Sequence, residues 1–240
     1  MDAQAYLDMA EIEGCHWWFA ARSKILQGII SDLELPADAR ILEAGAGTGG
    51  NLRMLSDFGQ VDAMEMDADA SAYAEKSTGI HVEVGSLPSD VPFDGKYDLI
   101  CMFDVLEHVE DDAGALTRLA SMLEPGGHLV ISVPAYAWLW SDHDVVLHHF
   151  RRYSRSRLRS DLTTAGLHVC KLSYFNSALF PAAAAARLMG KVFKRQLAGM
   201  RVPPAPLNAV LKRLFGAEAP IIRRANLPFG LSVLAVASLQ

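Results

Sequence analysis

RILEAGAGTGGN, residues 40–51, is the stretch that decides the fold of this chain. Ile41 and Leu42 predict a buried strand that ends at Glu43, and the helix-like sequence NLRMLSDF comes after four closely spaced glycines. Glycine permits positive φ angles and lets a ligand approach the backbone closely. The stretch therefore predicts a strand, a tight turn and a helix start whose unpaired N–H groups face whatever lies across the turn.

The glycine spacing alone does not choose a ligand. It fits the dinucleotide pattern G-x-G-x-x-G, the pattern G-x-G-x-G and a purely structural turn equally well. Glu43, two residues before the first glycine, would face a pyrophosphate badly but suits a ligand that carries a positive charge. A second acid, Glu65, ends the next apolar stretch about 20 residues on, where ribose hydroxyls are bound in such folds.

Four stretches, in order and at the usual intervals, resemble the motifs of class I S-adenosylmethionine-dependent methyltransferases. They are residues 41–51, the EMD at 65–67, VGSLP at 84–88, and residues 97–108. Two shorter stretches resemble a bacterial subgroup often linked to surface-glycan or lipid-linked substrates. These are HWWFAAR at 16–22 and HHFRRYS at 148–154.

The hydrophobic pattern and the resemblance together predict an α/β chain. Near-continuous apolar runs, typical of buried parallel strands, lie at 40–44, 61–66, 81–85, 97–103, 128–134, 168–175 and 231–239. Helices are expected at 3–13, 20–33, 50–58, 68–76, 111–122 and 154–165. The resemblance implies a Rossmann-like, doubly wound seven-stranded sheet with helices on both faces. In it, the last strand runs antiparallel between the fifth and the sixth.

We expect a single methyltransferase domain over residues 1–240 with four parts. They are an N-terminal helical lid (1–35), a core sheet (36–176), a basic amphipathic helical insert (177–228) and a final strand (229–240).

The resemblance implies S-adenosylmethionine as the cofactor and a set of residues that bind it. Glu65 would accept hydrogen bonds from both ribose hydroxyls, and Met66 and Leu87 would enclose the adenine. Phe103 and Asp104 would lie beside the sulfonium and the ammonium group. The full set is Glu43, Gly45, Ala46, Gly47, Gly49, Glu65, Met66, Ser86, Leu87, Phe103, Asp104 and His108.

Two members of this set leave alternatives open. Ser86 stands where the family often has an acid, so its bond to the adenine amino group would be weaker. His108, together with Glu107, opens the next helix, where it either caps that helix or contacts the cofactor or the acceptor.

Methyl transfer from a sulfonium has a neutral leaving group, so the enzyme mainly aligns the nucleophile and excludes water. A hydroxyl acceptor also needs a general base near neutral pH, for which histidine is suited. We expect His149 to be that base, with Asp144 orienting or replacing it. The chain lacks the Asn-Pro-Pro-Tyr motif for exocyclic amines and a Pro-Cys nucleophile, which favours O-methylation.

Six further residues are candidates for acceptor binding. They are Trp17, Arg22, His143, Arg151, Arg152 and Tyr153. Each has a structural alternative. The aromatic cluster around Trp17 could pack on the core, the two adjacent arginines could pair with acids, and Tyr153 with Ser154 could cap a helix. Arg22 could instead reach the cofactor carboxylate.

The net charge of −6 conceals an asymmetry between the two parts of the chain. Residues 151–240 carry 15 Lys and Arg against 2 Asp and Glu, a net +13, and residues 1–150 carry 7 against 26, a net −19. Such a division indicates two surfaces with different partners, although a merely solvated basic face is the alternative.

The cysteines, the N-terminus and the apolar runs indicate where in the cell the protein is located. Cys15, Cys101 and Cys170 are far apart, which predicts neither a disulfide framework nor a metal site and fits a reducing cytosol. The acidic N-terminus does not resemble a signal peptide. No apolar run approaches the roughly 20 residues of a spanning helix. We therefore expect a cytoplasmic protein, peripheral at the inner membrane face.

The basic insert carries two helical apolar stripes opposite basic residues, as interfacial membrane helices do. The stripes are Ala185, Leu188, Met189, Val192, Phe193 and Leu197, then Leu207, Val210, Leu211 and Leu214. The bases are Arg187, Lys191, Lys194 and Arg195, then Lys212 and Arg213. Each base near an anionic leaflet contributes roughly 1 kcal/mol. The alternative is ordinary packing of these helices on the sheet.

The leading interpretation is thus an enzyme that methylates a glycan, a lipid-linked molecule or another hydrophobic small molecule at the membrane. An RNA-directed methyltransferase, a non-catalytic cofactor-binding module and a dehydrogenase remain alternatives. Nucleic acid is disfavoured because the bases lie on helices with apolar stripes. The sequence leaves the acceptor and the oligomeric state open.

Overall fold

A seven-stranded sheet in the order β3-β2-β1-β4-β5-β7-β6 runs through the computed structural model, which describes residue 10, residues 12–193 and residues 202–239. The strands are β1 (Arg40–Ala44), β2 (Gln60–Glu65), β3 (Val82–Val84), β4 (Tyr97–Phe103), β5 (Leu123–Pro134), β6 (His168–Phe175) and β7 (Ser232–Ser238). The first five pair in parallel, and β7 lies antiparallel between β5 and β6. The predicted fold class and the position of its last strand are confirmed.

Helices cover both faces of this sheet. They are α1 (Trp17–Ile30), α2 (Leu52–Ser56), α3 (Ala68–Thr78), α4 (Asp112–Ser121), α5 (Asp142–Val146), α6 (Arg155–Thr164), α7 (Phe180–Phe193), α8 (Ala205–Gly216) and α9 (Ala219–Arg224). One face buries α4 and α6, and the other buries α1 together with the ends of α8 and α9. The helix predicted at 3–13 lies largely outside the described residues.

The fifth strand begins earlier than its hydrophobic pattern predicts. It starts at Leu123, opposite Tyr97, and regular pairing resumes at His128 opposite Leu99. The residues between these points bulge out, and Gly126 there has a φ of 80°. The Pro-Gly-Gly sequence therefore interrupts the ladder instead of preceding it.

The carboxyl ends of the parallel strands β1, β2, β4 and β5 meet at one edge of the sheet. The order of strands reverses between β1 and β4, and ligands in such sheets bind at that point. This edge therefore collects Glu43, Glu65, Asp104 and the segment after Pro134.

The basic insert is only partly packed. Phe215, near the end of α8, is fully buried and stacks on Phe175 at 6.0 Å between ring centroids. Three of the four stripe residues on the same helix, Leu207, Val210 and Leu214, are 50%, 49% and 48% exposed. In the first stripe Ala185 is exposed, whereas Leu197 and the side chains of residues 188–193 lie outside the description. In the described part of the chain, no helix is both long enough and apolar enough to cross a bilayer.

Candidate functional site

A cavity of about 1070 Å³ opens at the carboxyl edge of the sheet. Small-molecule sites are typically about 300–1,000 Å³, so this cavity lies at the upper end of their size range. Its wall is formed by the loops after β1, β2, β4 and β5, and by side chains from α1, α7 and α8.

The glycine turn forms one side of the cavity. Gly45 has a φ of 86°, and a Cβ added there would lie 2.5 Å from Cγ2 of Val105. Gly47 has a φ of 55°, and a Cβ there would meet only open space on the cavity side. The turn thus leaves a backbone-lined surface for a ligand, which fits the expected cofactor.

Glu65 fixes this turn from the end of β2. Its Oε2 accepts from the backbone N–H of Gly47 at 2.9 Å, and its Oε1 accepts from that of Asp67 at 3.1 Å. Each carboxylate oxygen can accept a second hydrogen bond. Glu65 therefore holds the turn and can still receive hydroxyl donors from the cavity.

Asp104 and Arg22 form an ion pair at the end of β4. Asp104 has a φ of 57°, accepts from Ser132 Oγ at 3.1 Å and pairs with Arg22 from α1. The guanidinium of Arg22 lies over the ring of Trp18, 4.6 Å from its centroid, and its buried Nε has no partner. A partly buried anion and a buried cation beside the cavity, with one donor unused among the described residues, fit the ammonium and carboxylate groups of a methionine moiety.

Glu43 lies behind the turn rather than on the cavity wall. It is fully buried, and Asn51 Nδ2 donates to its Oε1 at 2.8 Å, while Oε2 has no partner. Burial raises the pKa of Glu43 to about 8, against smaller opposing effects of Asn51 and Arg22. The carboxyl is therefore largely protonated in the folded protein at neutral pH.

We expect Glu43→Gln to stabilise the protein increasingly as the pH rises from 5 to 8. Because the folded pKa is raised, the stability associated with Glu43 is complete below its ordinary pKa near 4.5 and is lost up to pH about 8. Glutamine keeps the bond from Asn51 without this loss. Urea denaturation midpoints at several pH values measure the difference, and a gap that is constant with pH would contradict the expectation.

Asp144, at the start of α5, organises the opposite side of the cavity. It is fully buried and accepts from His149 Nδ1 at 2.9 Å, from Arg152 Nε at 2.6 Å and from the Ser141 backbone at 2.9 Å. Although burial opposes ionisation, these bonds from His149 and Arg152 hold its pKa well below the usual range. An ionised Asp144 makes Nδ1 of His149 the protonated nitrogen and leaves Nε2 as an acceptor.

A second histidine and an acid adjoin His149. The rings of His108 and His149 are 4.5 Å apart and nearly perpendicular, and burial with the neighbouring His149 lowers the pKa of His108 to about 3. Glu107 is 1% exposed, its Oε2 has no partner, and burial raises its pKa. One donor atom from each of the three lies within 4.8 Å of the others, so this set could hold a metal ion, which the sequence did not predict.

A family model described as a methyltransferase domain matches residues 18–172. The chain belongs to this methyltransferase family. It is therefore a transferase whose cofactor is S-adenosylmethionine, as predicted, and the dehydrogenase alternative is set aside.

Relatives of this methyltransferase differ in what they are named for. It is 26% identical over 159 residues to a probable S-adenosylmethionine-dependent methyltransferase of Mycolicibacterium smegmatis, covering 64% of this chain and 60% of that protein. It is 29% identical over 147 residues to a ubiquinone biosynthesis O-methyltransferase of Xanthomonas euvesicatoria, covering 54% and 60%. The chain spans about half the length of the curated relatives that it matches.

The fold is also similar to that of geranyl diphosphate C-methyltransferase from Streptomyces coelicolor, solved with Mg²⁺, geranyl diphosphate and S-adenosyl-L-homocysteine. The TM-score is 0.62 at 14% identity, covering 90% of this chain and 79% of that one. At this identity the similarity concerns the fold alone.

The methyltransferase brings most of the predicted cofactor residues to the cavity wall. Glu43 and Gly49 do not line the cavity in the described structure. Met66 is 65% exposed, whereas Leu87 packs partly against the core. Those on the wall are Gly45, Ala46, Gly47, Glu65, Met66, Ser86, Leu87, Phe103, Asp104 and His108.

The predicted acceptor residues divide into two groups. Trp17, Arg22, His143 and Arg152 line the cavity, whereas Arg151 and Tyr153 lie outside its wall in the described structure. Arg151 pairs with Asp112 at 2.7 Å, and the buried Tyr153 hydroxyl donates to the same carboxylate at 2.9 Å. These contacts agree with the alternative roles given above, in which the arginine pairs with an acid. Ser154 caps α6, as that alternative also expects.

Two residues of the site escaped sequence reasoning. Glu13, from the segment before α1, accepts from Thr48 Oγ1 at 2.6 Å, and burial raises its pKa. Arg187 of α7, predicted on the polar side of an amphipathic helix, lines the cavity instead and donates to the carbonyl of Leu139 at 3.1 Å. Neither contact has a local sequence signal.

Proposed function

We propose that this methyltransferase transfers a methyl group to a hydroxyl of a glycan, a lipid-linked molecule or another hydrophobic small molecule at the cytoplasmic face of the membrane. The observation that carries the proposal is His149 on the cavity wall, with its Nδ1 hydrogen-bonded to the buried Asp144 behind it. The O-methyltransferase name of the Xanthomonas relative is in keeping with it.

The residues around the glycine turn would hold the cofactor. Glu65 accepts from the ribose hydroxyls, since charge-assisted hydrogen bonds are strong. Asp104 takes the ammonium group and Arg22 the carboxylate of the methionine part. Met66 and Leu87 enclose the adenine. When bound, S-adenosylmethionine supplies an electrophilic methyl group on a positively charged sulfur.

His149 would act on the acceptor. Its Nε2 would take the proton of the acceptor hydroxyl, while bound S-adenosylmethionine would supply the methyl group to the oxygen and retain the electron pair of its carbon–sulfur bond as a neutral thioether. Asp144 stabilises the imidazolium that results, as a carboxylate beside histidine does in other general-base pairs. Arg152 keeps Asp144 ionised and in place.

The acceptor class is tested by comparing lipids and glycans from cells with and without the gene. We expect species that carry one additional methyl group on oxygen only when the gene is present. Purified enzyme with methyl-labelled cofactor should label the same fraction. Label that resists O-demethylation but is found on nitrogen or carbon would overturn the O-methylation proposal.

The location at the membrane is supported by the exposed face of α8. Leu207, Val210 and Leu214 project from one side of this helix, with the exposed Lys212 and Arg213 beside them. Such a helix lies in a bilayer interface with its apolar side in the acyl region and its bases near anionic headgroups.

Replacing Leu207, Val210 and Leu214 together by serine is expected to abolish flotation with vesicles that contain phosphatidylglycerol. The reason is that each exposed apolar side chain buried in the interface contributes to binding. Val84→Ser, at an equally exposed valine on the sheet edge, is the matched control. If the wild-type protein does not float with these vesicles, the proposed membrane location is wrong.

A further inference from the structure

Arg187 lies on the cavity wall and has no carboxylate partner among the residues that the structure describes. It is only partly exposed, and its one hydrogen bond in the described structure is the 3.1 Å bond from Nη1 to the carbonyl of Leu139. No carboxylate of the described residues lies within ion-pair distance of it. Burial, with the charge of Arg152 nearby, lowers its pKa to about 10, so the guanidinium stays protonated at neutral pH.

The other groups on this side of the cavity do not balance that charge. Arg152 and the ionised Asp144 compensate each other through two hydrogen bonds. Among the described residues, the buried Glu107 forms no ion pair with either arginine, and its Oε2 has no hydrogen-bond partner. Burial and the nearby Arg187 lower the pKa of His143 to about 4, so this histidine is neutral. The guanidinium of Arg187 is thus left without an ion pair among the described residues, and a desolvated charge without a partner is costly.

The part of the wall that α7 and α8 contribute beside Arg187 is apolar. Ala183 lies one helical turn before it on the same side of α7, and Leu179 and Leu211 contribute to the same cavity. A single fixed charge within an apolar wall is suited to an amphiphilic ligand with one anionic group.

We propose that the methyl acceptor carries a phosphate or carboxylate group that pairs with Arg187 and is joined to an apolar portion. This inference rests on the proposed function, because it concerns the acceptor of the same cavity. The bond to Leu139 uses one of five N–H donors, so the guanidinium keeps donors for a two-pronged contact with the oxygens of an anion. Arg151, one of the two adjacent arginines that the sequence offered for acceptor binding, is paired with Asp112 instead.

Calorimetry with three probes that share one alkyl chain tests the proposal. The full-length enzyme, loaded with S-adenosylhomocysteine, is titrated below micelle-forming concentrations with dodecyl phosphate, dodecanoate and uncharged dodecyl maltoside. We expect at least one anionic probe to bind about 10- to 100-fold more tightly than the uncharged one, and Arg187→Gln to remove that difference. Which anionic probe binds more tightly distinguishes a phosphate from a carboxylate acceptor.

Two control variants keep the result interpretable. Arg159→Gln changes an exposed arginine on α6 and should leave all three affinities unaltered. Arg187→Lys should recover part of the lost affinity, since it restores the charge without the planar fork. Equal binding of charged and uncharged probes, or an Arg187→Gln variant that binds like the wild type, would overturn the proposal. Because no methyl transfer is measured, the outcome is independent of whether His149 is the base.

Discussion

His149→Gln is expected to lower kcat by about 10²- to 10⁴-fold and to leave the affinity for S-adenosylhomocysteine unchanged. Glutamine can still donate to Asp144 in place of Nδ1, so the buried carboxylate keeps a partner. Its amide cannot accept a proton from a hydroxyl. The rate is measured with methyl-labelled cofactor and the acceptor fraction, and the affinity by calorimetry.

His168→Gln, at an exposed histidine on β6, is the matched control and should retain full activity. A His149→Gln variant that turns over at the wild-type rate would refute the assignment of the base. A chelator separates the two uses of this histidine. Activity that survives chelation supports proton transfer, whereas loss with EDTA and recovery with added zinc would assign Glu107, His108 and His149 as metal ligands.

Glu65→Gln is expected to weaken the binding of S-adenosylmethionine by about 10- to 100-fold, since a hydrogen bond to a charged group contributes about 1.5–3 kcal/mol. The amide removes the negative charge offered to the ribose hydroxyls. The Glu65 carboxylate accepts hydrogen bonds from the backbone N–H groups of Gly47 and Asp67. In the glutamine variant, the side-chain NH₂ group faces one of these N–H groups, so a donor opposes a donor and that hydrogen bond is lost. Calorimetric titration with the cofactor measures the change.

Glu83→Gln, an exposed acid paired with His81, provides the matched control. Its cofactor affinity should equal that of the wild type. Urea midpoints for both variants distinguish a lost ligand contact from a loosened turn. Unchanged cofactor affinity in a folded Glu65→Gln protein would mean that the ribose lies elsewhere.

The sheet was predictable because its signals are local. The glycine turn follows directly from residues 45–50, and the buried parallel strands appear as short apolar runs. The bounds of β1, β4 and β6 agree with the pattern to the residue. The start of β5 was predicted too late because the sequence of the bulge between Leu123 and His128 resembles a turn. Leu123 nevertheless pairs with Tyr97 on the far side of that bulge.

The side-chain contacts within the site were less predictable, because they join segments that are distant in the sequence. Sequence reasoning selected Asp144 and His149, which do meet, but could not tell which of two adjacent arginines turns inward. Arg152 pairs with Asp144, while Arg151 faces Asp112 on the other side. Arg187 was assigned to the polar side of its helix because the stripe pattern does not reveal which side adjoins the cavity.

The two hydrogen bonds of Asn208 have a mechanical consequence. Its side chain accepts from the backbone of Trp17 at 2.9 Å and donates to the carbonyl of Cys15 at 2.8 Å, which ties α8 to the start of α1. Separating these helices would break both hydrogen bonds, each of which contributes about 0.5–1.5 kcal/mol to stability. It would also expose the ring of Phe215 to water. Arg22 also belongs to α1. A force applied to the outer face of α8 is thus transmitted to Arg22, the residue proposed to bind the cofactor carboxylate.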